Sequence, residues 1–529
     1  MQSTGTRHGT GTDGPAAGHP RRWWILGVLS VALFSIVLNN GLLNVAIPGM
    51  MRGLDADIGE LQFIVDGYAL VLAGALLTAG TLSDRYGHKR ATLLGAAVFG
   101  AGSVVGAVAD STGQLVCARA LMGLGAAFIM PGTLAVLVHV FPAGERARAI
   151  GLWSGASALG VAAGPVIGGF LVAHFWWGSV FVVNLVPVAV VLIAGALLLP
   201  ESAAAEPRRP DPVGALLGTV AMVALVFAVI RVSKDGWTAA GPLTGFTLAA
   251  VAGTAFVLWE RAHPSPMIDF ELLRRAPFIG ASVSILLLMF GLAGTLFVLT
   301  QRLQFVLGYG ALTAGLAVMP VAFAVLLGTL ATPALVRRAG PGGCVAAGLG
   351  TGAAGILVVA HVGGGYPAVL GGLLLAGAGM GLAIGPTTDV VMSLVPPERS
   401  GATGSLDMTM QELGNALGVA VVGSVLAHDY AAAADSAALP DAAGTTLDTA
   451  LRFAESTGGP AGAAVADAAR DAFDGAAAAG LTVGAAGAAL GVLVAAVLLP
   501  GRDRTPPSPP SAPRAPTRPA TLPVERAGH

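Results

Sequence analysis

The sequence contains fourteen apolar runs, each long enough to cross a membrane as an α-helix. A membrane-spanning helix needs about 20 mostly apolar residues. The runs do not alternate in polarity at every second residue, as the strands of a transmembrane β-barrel would. Because 55% of the residues are hydrophobic and only 11% are charged, the composition also differs from that of soluble proteins. We therefore expect an all-α integral membrane protein with fourteen transmembrane helices. The runs cover roughly residues 23–44, 60–80, 91–109, 112–140, 149–172, 179–199, 212–232, 241–259, 277–299, 312–335, 343–362, 367–394, 401–427 and 478–499.

The positive charges of the loops predict the orientation, because cytoplasmic loops of membrane proteins are enriched in Lys and Arg. If the N-terminus is inside, 21 of the 28 Lys and Arg residues fall in inner segments, 6 fall in outer segments and Arg119 lies within a helix. Both termini are therefore expected in the cytoplasm. The predominance of Arg, with Lys89 and Lys234 the only lysines, suggests a bacterial chain and hence the bacterial inner membrane.

The chain contains a duplication. Five residue pairs lie at one offset of 253 residues, as from Arg85 to Arg338. The other pairs are Gly87 and Gly340, Glu145 and Glu398, Arg146 and Arg399, and Gly151 and Gly404. Eight helices lie within this offset, so the two copies have the same orientation, which is the pattern of a parallel repeat about an axis normal to the membrane. We expect two six-helix halves related by a pseudo-two-fold axis, with helices 7 and 8 inserted between them.

The duplication predicts the domain boundaries. Tails over 1–20 and 501–529 are expected to be disordered, because they are rich in Gly and Thr or in Pro and Arg. The N-terminal half covers 21–200, the linker with the inserted helices 201–275, and the C-terminal half 276–500. The outer segment 428–477 is rich in Ala and Asp. It would form either a solvated loop or a short helical hairpin that attracts cations.

Three motifs resemble the major facilitator superfamily. Residues 80–90 read GTLSDRYGHKR, which resembles the superfamily's loop signature between helices 2 and 3. Residues 119–125 are similar to its proton-transfer motif, with Met122 where Gln is usual. Helix 5 carries its antiporter motif. The motif residues are Gly151, Gly160, Gly164, Pro165, Gly168 and Gly169. Together with the helix count, these motifs resemble the fourteen-helix drug:proton antiporters over about residues 20–500.

The loop signature predicts a contact between the halves. Its members are Gly80, Asp84, Arg85, Gly87, Lys89 and Arg90. A helix N-terminus carries about half a positive charge. We expect Asp84 to dock at the N-terminus of helix 13, near Gly401, and to latch the halves together on the cytoplasmic side. The alternative is that Asp84 only offsets the neighbouring bases. Gly87 would permit a tight turn.

The antiporter motif predicts a close helix contact. Gly160, Gly164 and Gly168 recur every four residues and therefore share one face of helix 5. A partner helix can approach such a face closely, while Pro165 distorts the local hydrogen bonds. The resemblance implies that this face seals the two halves against proton leakage. Ordinary close packing is the alternative.

Ionisable residues inside a membrane are functional candidates. In the first half, Asp66, Arg119 and Asn39 lie at similar depth, with Asn39 at the end of helix 1, and could form one polar cluster. A structural ion pair of Asp66 and Arg119 is the alternative. The related exporters usually carry an acid near Asn39, and its absence here leaves the helix-1 proton site unfilled.

In the second half, helix 13 carries Asp407 and Glu412, which are about 140° apart around the helix and cannot share a face. Either could carry the proton or bind a cation. Glu412 is preferred because it is closer to the membrane centre. Asp407 could instead be a snorkelling or capping acid. Asp389 is expected at the interface, and Tyr68 in apolar packing.

These features favour a secondary active exporter that exchanges protons for a small, lipophilic drug or antibiotic, with cationic compounds among the candidates. No Gly-x4-Gly-Lys-Ser/Thr sequence occurs, so the proton gradient, not ATP, is the expected driving force. No metal, cofactor, enzymatic activity or nucleic-acid partner is expected, and the protein should work as a monomer among membrane lipids. Two alternatives remain open: an uptake symporter of the same fold, and a membrane enzyme that acts on lipid-linked substrates.

Overall fold

The computed structural model describes residues 19–54, 58–201, 211–263, 271–362, 365–395, 400–437, 439–440 and 447–501. These residues are almost entirely helical and contain no β-strand. A helix satisfies its own backbone hydrogen bonds, which lipid cannot do. In chain order the α-helices are α1 (Arg22–Leu54), α2 (Ile58–Tyr86), α3 (His88–Ala107), α4 (Thr112–Val140), α5 (Ala143–His174), α6 (Ser179–Val182), α7 (Leu185–Leu198), α8 (Pro212–Asp235), α9 (Ala240–Ala262), α10 (Ala276–Gln301), α11 (Ala311–Val318), α12 (Pro320–His361), α13 (Tyr366–Ser393), α14 (Ser400–Ser436), α15 (Leu447–Thr457) and α16 (Gly459–Leu498).

The number of membrane crossings agrees with the sequence analysis. Thirteen stretches of the described residues are long and apolar enough to cross a membrane. One of them, Thr313–His361, has 49 residues, about twice the length that one crossing needs. It is broken at Gly340, where φ is 75° and ψ is 172°. Because this break divides the stretch into two parts that are each long enough to cross a membrane, the described residues contain fourteen candidate transmembrane helices.

The duplication is also visible in the backbone. Gly87 lies between α2 and α3 with a φ of 101°, and Gly340 lies at the break within α12 with a φ of 75°. Both conformations are in the left-handed region that a residue with a Cβ atom rarely adopts. The repeat therefore places a glycine at the same turn in each half, where the chain reverses between two crossings.

The two halves meet along a seam. Helices α1–α7 belong to the N-terminal half and α10–α16 to the C-terminal half. Across the seam, α5 packs against α12 and α13, and α14 packs against α2 and α4. The helix ends that carry Arg85, Lys89, Arg90, Arg146 and Arg148 lie at one end of the bundle, which we call the basic face.

The inserted helix α8 packs against both halves, and α9 packs against α8. Thr219 of α8 donates a hydrogen bond to the Gly74 carbonyl of α2 (2.8 Å). Farther along α8, Val229 and Val232 pack against Ala420 of α14. The inserted hairpin therefore lies over the line where α2 and α14 meet.

Asp211 caps the N-terminus of α8. Its carboxylate accepts hydrogen bonds from the Gly214 N–H (2.8 Å) and the Trp259 indole (2.9 Å), so it also joins α8 to α9. Burial by itself would raise the pKa of Asp211. These hydrogen bonds, with the nearby imidazole of His263, outweigh burial and hold the pKa of this carboxyl below its ordinary value. Asp211 is therefore ionised at neutral pH.

The structure differs from the expected helix boundaries at two places. The first run was expected to end near residue 44, but α1 continues to Leu54. The outer segment 428–477 is mostly helical: α14 extends to Ser436, α15 follows, and α16 begins at Gly459. Alanine is the commonest residue of this segment, with 19 of its 50 positions, and alanine favours a helix in water as well as in lipid. The predicted disordered tails lie outside the described residues, apart from residues 19, 20 and 501 at their ends.

Candidate functional site

Asp84 joins the two halves at the basic face. Its Oδ1 accepts a hydrogen bond from the Gly401 N–H (2.6 Å), and its Oδ2 accepts one from the Ala402 N–H (2.8 Å). These are free N–H groups at the first turn of α14, where an anion is also favoured by the helix dipole. The contact that the sequence analysis expects is therefore present.

The backbone of α2 approaches α14 closely at this point. Gly80 lies against Gly401 and Ser405, and a Cβ atom at position 80 would overlap both residues. The close approach explains why the loop signature begins with a glycine. It also brings Asp84, one turn farther along α2, within reach of the first turn of α14.

The remaining loop residues have other partners. Lys89 and Arg90 approach the carboxylate of Glu201 at 3.9 and 4.0 Å. The Arg85 guanidinium lies over the ring of Tyr86, 5.3 Å from its centroid. The contact of Asp84 with α14 therefore exists beside these interactions of the neighbouring bases.

A second pair crosses the seam at the basic face. Arg146 of α5 and Asp389 of α13 approach to 3.9 Å, and both side chains are mostly buried. Arg146 also donates a hydrogen bond to the Val138 carbonyl (3.3 Å). Asp389, which is expected at the membrane interface, lies near the end of α13 with its side chain against the other half.

Arg119 is a buried cation of the N-terminal half. Its side chain is 1% exposed, and its Nε donates a hydrogen bond to the Ile64 carbonyl of α2 (3.2 Å). The guanidinium lies over the ring of Tyr68, 4.3 Å from the centroid. The aromatic face thus takes the place of a counter-ion over one side of the guanidinium. Asp66, the expected partner, lies in α2, but its side chain is outside the described residues.

Asn39 does not lie at the end of helix 1, where the sequence predicts it. Because α1 is longer than predicted, Asn39 lies within the helix and not at its end. Its Oδ1 accepts a hydrogen bond from the Asn184 side chain (3.2 Å), which lies at the start of α7. Both amides are buried, so Asn39 contributes to a polar contact between helices of the same half.

Asp407 is a buried acid of the C-terminal half. It is 1% exposed, and its Oδ2 accepts hydrogen bonds from Thr388 of α13 (3.1 Å) and from Gln411 (2.9 Å). Its Oδ1 is buried and has no hydrogen-bond partner among the described residues. The interpretation of Asp407 as a snorkelling or capping acid is therefore wrong, because α13 covers this face of α14.

Glu412 faces a different neighbour, as its angle around α14 predicts. Its side chain is half-buried. The helix α14 that carries it packs against α2 and α4, which carry Tyr68 and Arg119. The seam therefore places an acid of one half on a helix that packs against the helices of the buried cation.

The glycines of the antiporter motif do not all face the same partner. At Gly160 an added Cβ atom would meet Phe34 and Leu38 of α1, and at Gly164 it would meet Gly41 of α1. These glycines therefore pack α5 against α1 within the N-terminal half, which differs from the seal between the halves that the resemblance implies.

Two further glycines of the motif behave differently. Gly151 lies against Thr329 of α12 and does face the other half, whereas an added Cβ atom at Gly169 would have no neighbour within 4 Å. Gly168 is buried, and the side chain of Pro165 lies outside the part of the chain that the structure describes.

Several contributors were not singled out by the sequence analysis. Thr388 and Gln411 hold Asp407, and Asn184 holds Asn39. The sequence contains one usable signal for Gln411: it lies one helical turn after Asp407 and therefore shares its face. Thr388 and Asn184 lie on other helices, and their positions follow only from the packing.

Comparison with known proteins agrees with this architecture. The sequence matches the Major Facilitator Superfamily profile over residues 29–419. It is 33% identical to the multidrug efflux pump LfrA of Mycolicibacterium smegmatis, covering 92% of this chain and 98% of that protein. It is also 33% identical to the tetracenomycin C resistance and export protein of Streptomyces glaucescens, covering 78% of each chain.

A solved structure shows the same fold at low identity. The human organic anion transporter MFSD10 superposes with a TM-score of 0.60 and 14% identity, covering 90% of this chain and all of that one. The profile match extends over both halves and the inserted helices, and the relatives match over most of their length. The chain belongs to the major facilitator superfamily.

Proposed function

We propose that this protein is a proton-coupled exporter of small lipophilic drugs or antibiotics, cations among them, in the bacterial inner membrane. The observation that carries the proposal is the set of buried ionisable groups at the seam: Arg119 in one half, and Asp407 and Glu412 in the other. Charges inside a membrane are costly and mark transport pathways. The names of the two relatives, an efflux pump and an export protein, support the outward direction.

The seam suggests how the halves would alternate. The Asp84 and Arg146 contacts join the halves at the basic face. By the distribution of Lys and Arg, this face is cytoplasmic, so the arrangement corresponds to a state closed toward the cytoplasm. Opening would separate these contacts, and closing would remake them. Alternating access of this kind rocks one half against the other around a central site.

Coupling requires that the proton and the substrate favour different states. We assign Glu412 as the proton carrier, because it is half-buried on α14, the helix that packs against α2 and α4 of the other half. Asp407 has two hydrogen-bond donors that hold its carboxylate, so it serves as a supporting acid. No resident cofactor or metal is needed for this cycle, and the partners would be protons, the substrate and lipid, with the protein acting as a monomer.

The test uses energised inverted membrane vesicles, in which an exporter releases lumenal protons when substrate is added. A panel of cationic dyes and neutral antibiotics should give proton release with the wild type. Glu412→Gln should abolish it at equal expression. Glu455→Gln is the matched control, because Glu455 is an exposed acid on α15. An unchanged response in Glu412→Gln would remove this residue from coupling, and proton uptake instead of release would favour the symporter.

A further inference from the structure

Two buried hydrogen-bond donors at the seam lack an acceptor. Arg119 uses its Nε on the Ile64 carbonyl, but its Nη1 is buried and has no hydrogen-bond partner among the described residues. The Tyr68 hydroxyl is likewise buried and unpartnered. The two side chains are 1% and 3% exposed. They belong together, because the guanidinium lies over the phenol ring.

These donors would be costly if they remained unpaired. A guanidinium presents five N–H donors, has no acceptor and stays charged in proteins. A buried donor without an acceptor costs more than a paired one gains. The site therefore favours a ligand that brings an oxygen acceptor, and an anionic oxygen most of all, because hydrogen bonds between charged groups are the strong ones.

The other half supplies the opposite charge. Glu412 lies on α14, which packs against both α2 and α4. Helices α2 and α14 run antiparallel from the contact of Gly80 with Gly401 and Ser405, so Tyr68, twelve residues from Gly80, and Glu412, eleven residues from Gly401, lie at a similar level. The side chain of Glu412 is half-buried and therefore partly accessible. A ligand that bridges the seam would thus meet N–H and O–H donors on α2 and α4, and a carboxylate on α14. This combination of partners suits a molecule that has both an acidic oxygen and a basic nitrogen.

We propose that the seam selects amphoteric substrates, with a carboxylate or phenolate oxygen held by Arg119 and Tyr68 and a cationic group held near Glu412. This inference rests on the proposed function, because it assigns a substrate class to the same site. A site for simple lipophilic cations would need only the acids to bind the substrate. The proposed site differs because Arg119 and Tyr68 also bind an oxygen of the substrate.

The test compares two dyes that differ at one group. Rhodamine 110 carries a free carboxylate, and rhodamine 123 is its methyl ester, with the same cationic ring system. The dissociation constant of each dye is measured by fluorescence polarisation with the full chain in lipid nanodiscs. The wild type should bind rhodamine 110 more tightly. Tyr68→Phe, which removes only the hydroxyl, should shift the ratio of the two constants by about tenfold toward the ester.

Arg119→Lys tests the same site through the other donor, since it keeps the charge but removes the planar fork, and it should shift the ratio in the same direction. Tyr430→Phe is the matched control. Tyr430 is also 3% exposed with an unpartnered hydroxyl, but it lies far along α14 from Glu412, so the ratio should not change.

The outcomes separate the two proposals. A wild type that binds both dyes equally, or a ratio that neither Tyr68→Phe nor Arg119→Lys changes, would overturn the inference and would indicate that water satisfies both donors. Proton release by rhodamine 123 in inverted vesicles would leave the proposed function standing in that case. If neither dye nor any other compound of the panel produced proton release, the proposed function would fail as well.

Discussion

The carboxylate of Asp84 caps a helix that begins more than 300 residues farther along the chain, with its Oδ1 2.6 Å from the backbone nitrogen of Gly401. Asp84 belongs to the N-terminal half and Gly401 to the C-terminal half. A helix cap is ordinarily local, supplied by the residue just before the helix. Here it is supplied by another domain, so α14 has its charged cap only while the halves are together at the basic face. The stability of this cap is therefore part of the free energy that holds the halves closed.

Replacement of Asp84 by Asn should favour opening at the basic face. The Asn side chain has one acceptor oxygen instead of two and presents an NH2 group to the second N–H. The loss of a charge-assisted bond at a helix N-terminus is about 1–2 kcal/mol, so the open population should rise about tenfold. The measurement is the distance distribution between spin labels on cysteines at Tyr86 and Arg338, both exposed at this face, in a chain that lacks Cys117 and Cys344.

The control for this experiment is Asp110→Asn. Asp110 is an exposed acid just before α4, at the opposite end of the bundle. Its replacement should leave the distance distribution unchanged. A distribution in Asp84→Asn that is identical to that of the wild type would show that the Asp84 cap does not govern closure.

The Arg146–Asp389 pair should show energetic coupling. The two charged groups approach to 3.9 Å across the seam with mostly buried side chains, so their attraction is less screened than that of a surface pair. Arg146→Ala and Asp389→Ala should each favour opening, while the double variant should cost about 1 kcal/mol less than the sum of the two. The same spin-label distances provide the measurement. Two results would mean that the approach of the two charges has no energetic role. One is a double variant whose effect on opening equals the sum of the two single effects. The other is an exchanged pair, Arg146→Asp with Asp389→Arg, that is no more closed than the single variants.

The sequence predicts most of the fold and part of the site, for physical reasons that the residues make clear. The crossings could be counted because lipid imposes a minimum apolar length on every helix. The Asp84 contact could be predicted because an acid in a basic loop and a helix N-terminus on the same membrane side are both readable from the sequence.

Other contacts could not be predicted, because they depend on how the helices are rotated and packed. Arg146 and Asp389 are far apart in the chain, and neither stands in a pattern that names the other. The sequence predicts Asn39 at the end of helix 1, but α1 continues to Leu54. The polar residues around Asn39 lie inside the helix, so hydropathy does not mark where this helix ends. The spacing of Gly160 and Gly164 predicts a close contact but does not say which helix makes it.

The stability of the fold should depend more on the shape of the side chain at position 407 than on its charge. Asp407→Asn keeps an oxygen that can accept the hydrogen bonds of Thr388 and Gln411. Asp407→Ala leaves both donors without this acceptor, at a cost of about 1–3 kcal/mol. Thermal unfolding in detergent should therefore show a clearly lower midpoint for the Ala variant than for the Asn variant, and the Asn variant should retain a reduced proton response. Equal midpoints would indicate that the donors find other partners.

Asp211 should stabilise the inserted hairpin over the whole neutral pH range. Its pKa in the folded protein lies below the ordinary value, so its contribution is present above the unfolded-state pKa of about 3.9 and is lost only as the pH falls through the folded value. Asp211→Ala should lower the free energy of unfolding by about 1 kcal/mol, the usual cost of losing an N-cap. The difference between variant and wild type should be no smaller at pH 5 than at pH 8. A difference that shrinks between these two values would contradict the assigned pKa direction.

Two glycines of the antiporter motif offer a matched comparison. A methyl group at Gly164 would overlap the Cα atom of Gly41 on α1, whereas a methyl group at Gly169 would meet nothing within 4 Å. Gly164→Ala should therefore separate α5 from α1 and cost about 1–3 kcal/mol, as overpacking of a close contact does. Gly169→Ala should be neutral or slightly stabilising, because alanine favours the helix more than glycine. Thermal unfolding of the two variants, with proton release in inverted vesicles, measures both effects. Equal losses in the two variants would mean that the motif acts through backbone flexibility and not through the packing of α5 on α1.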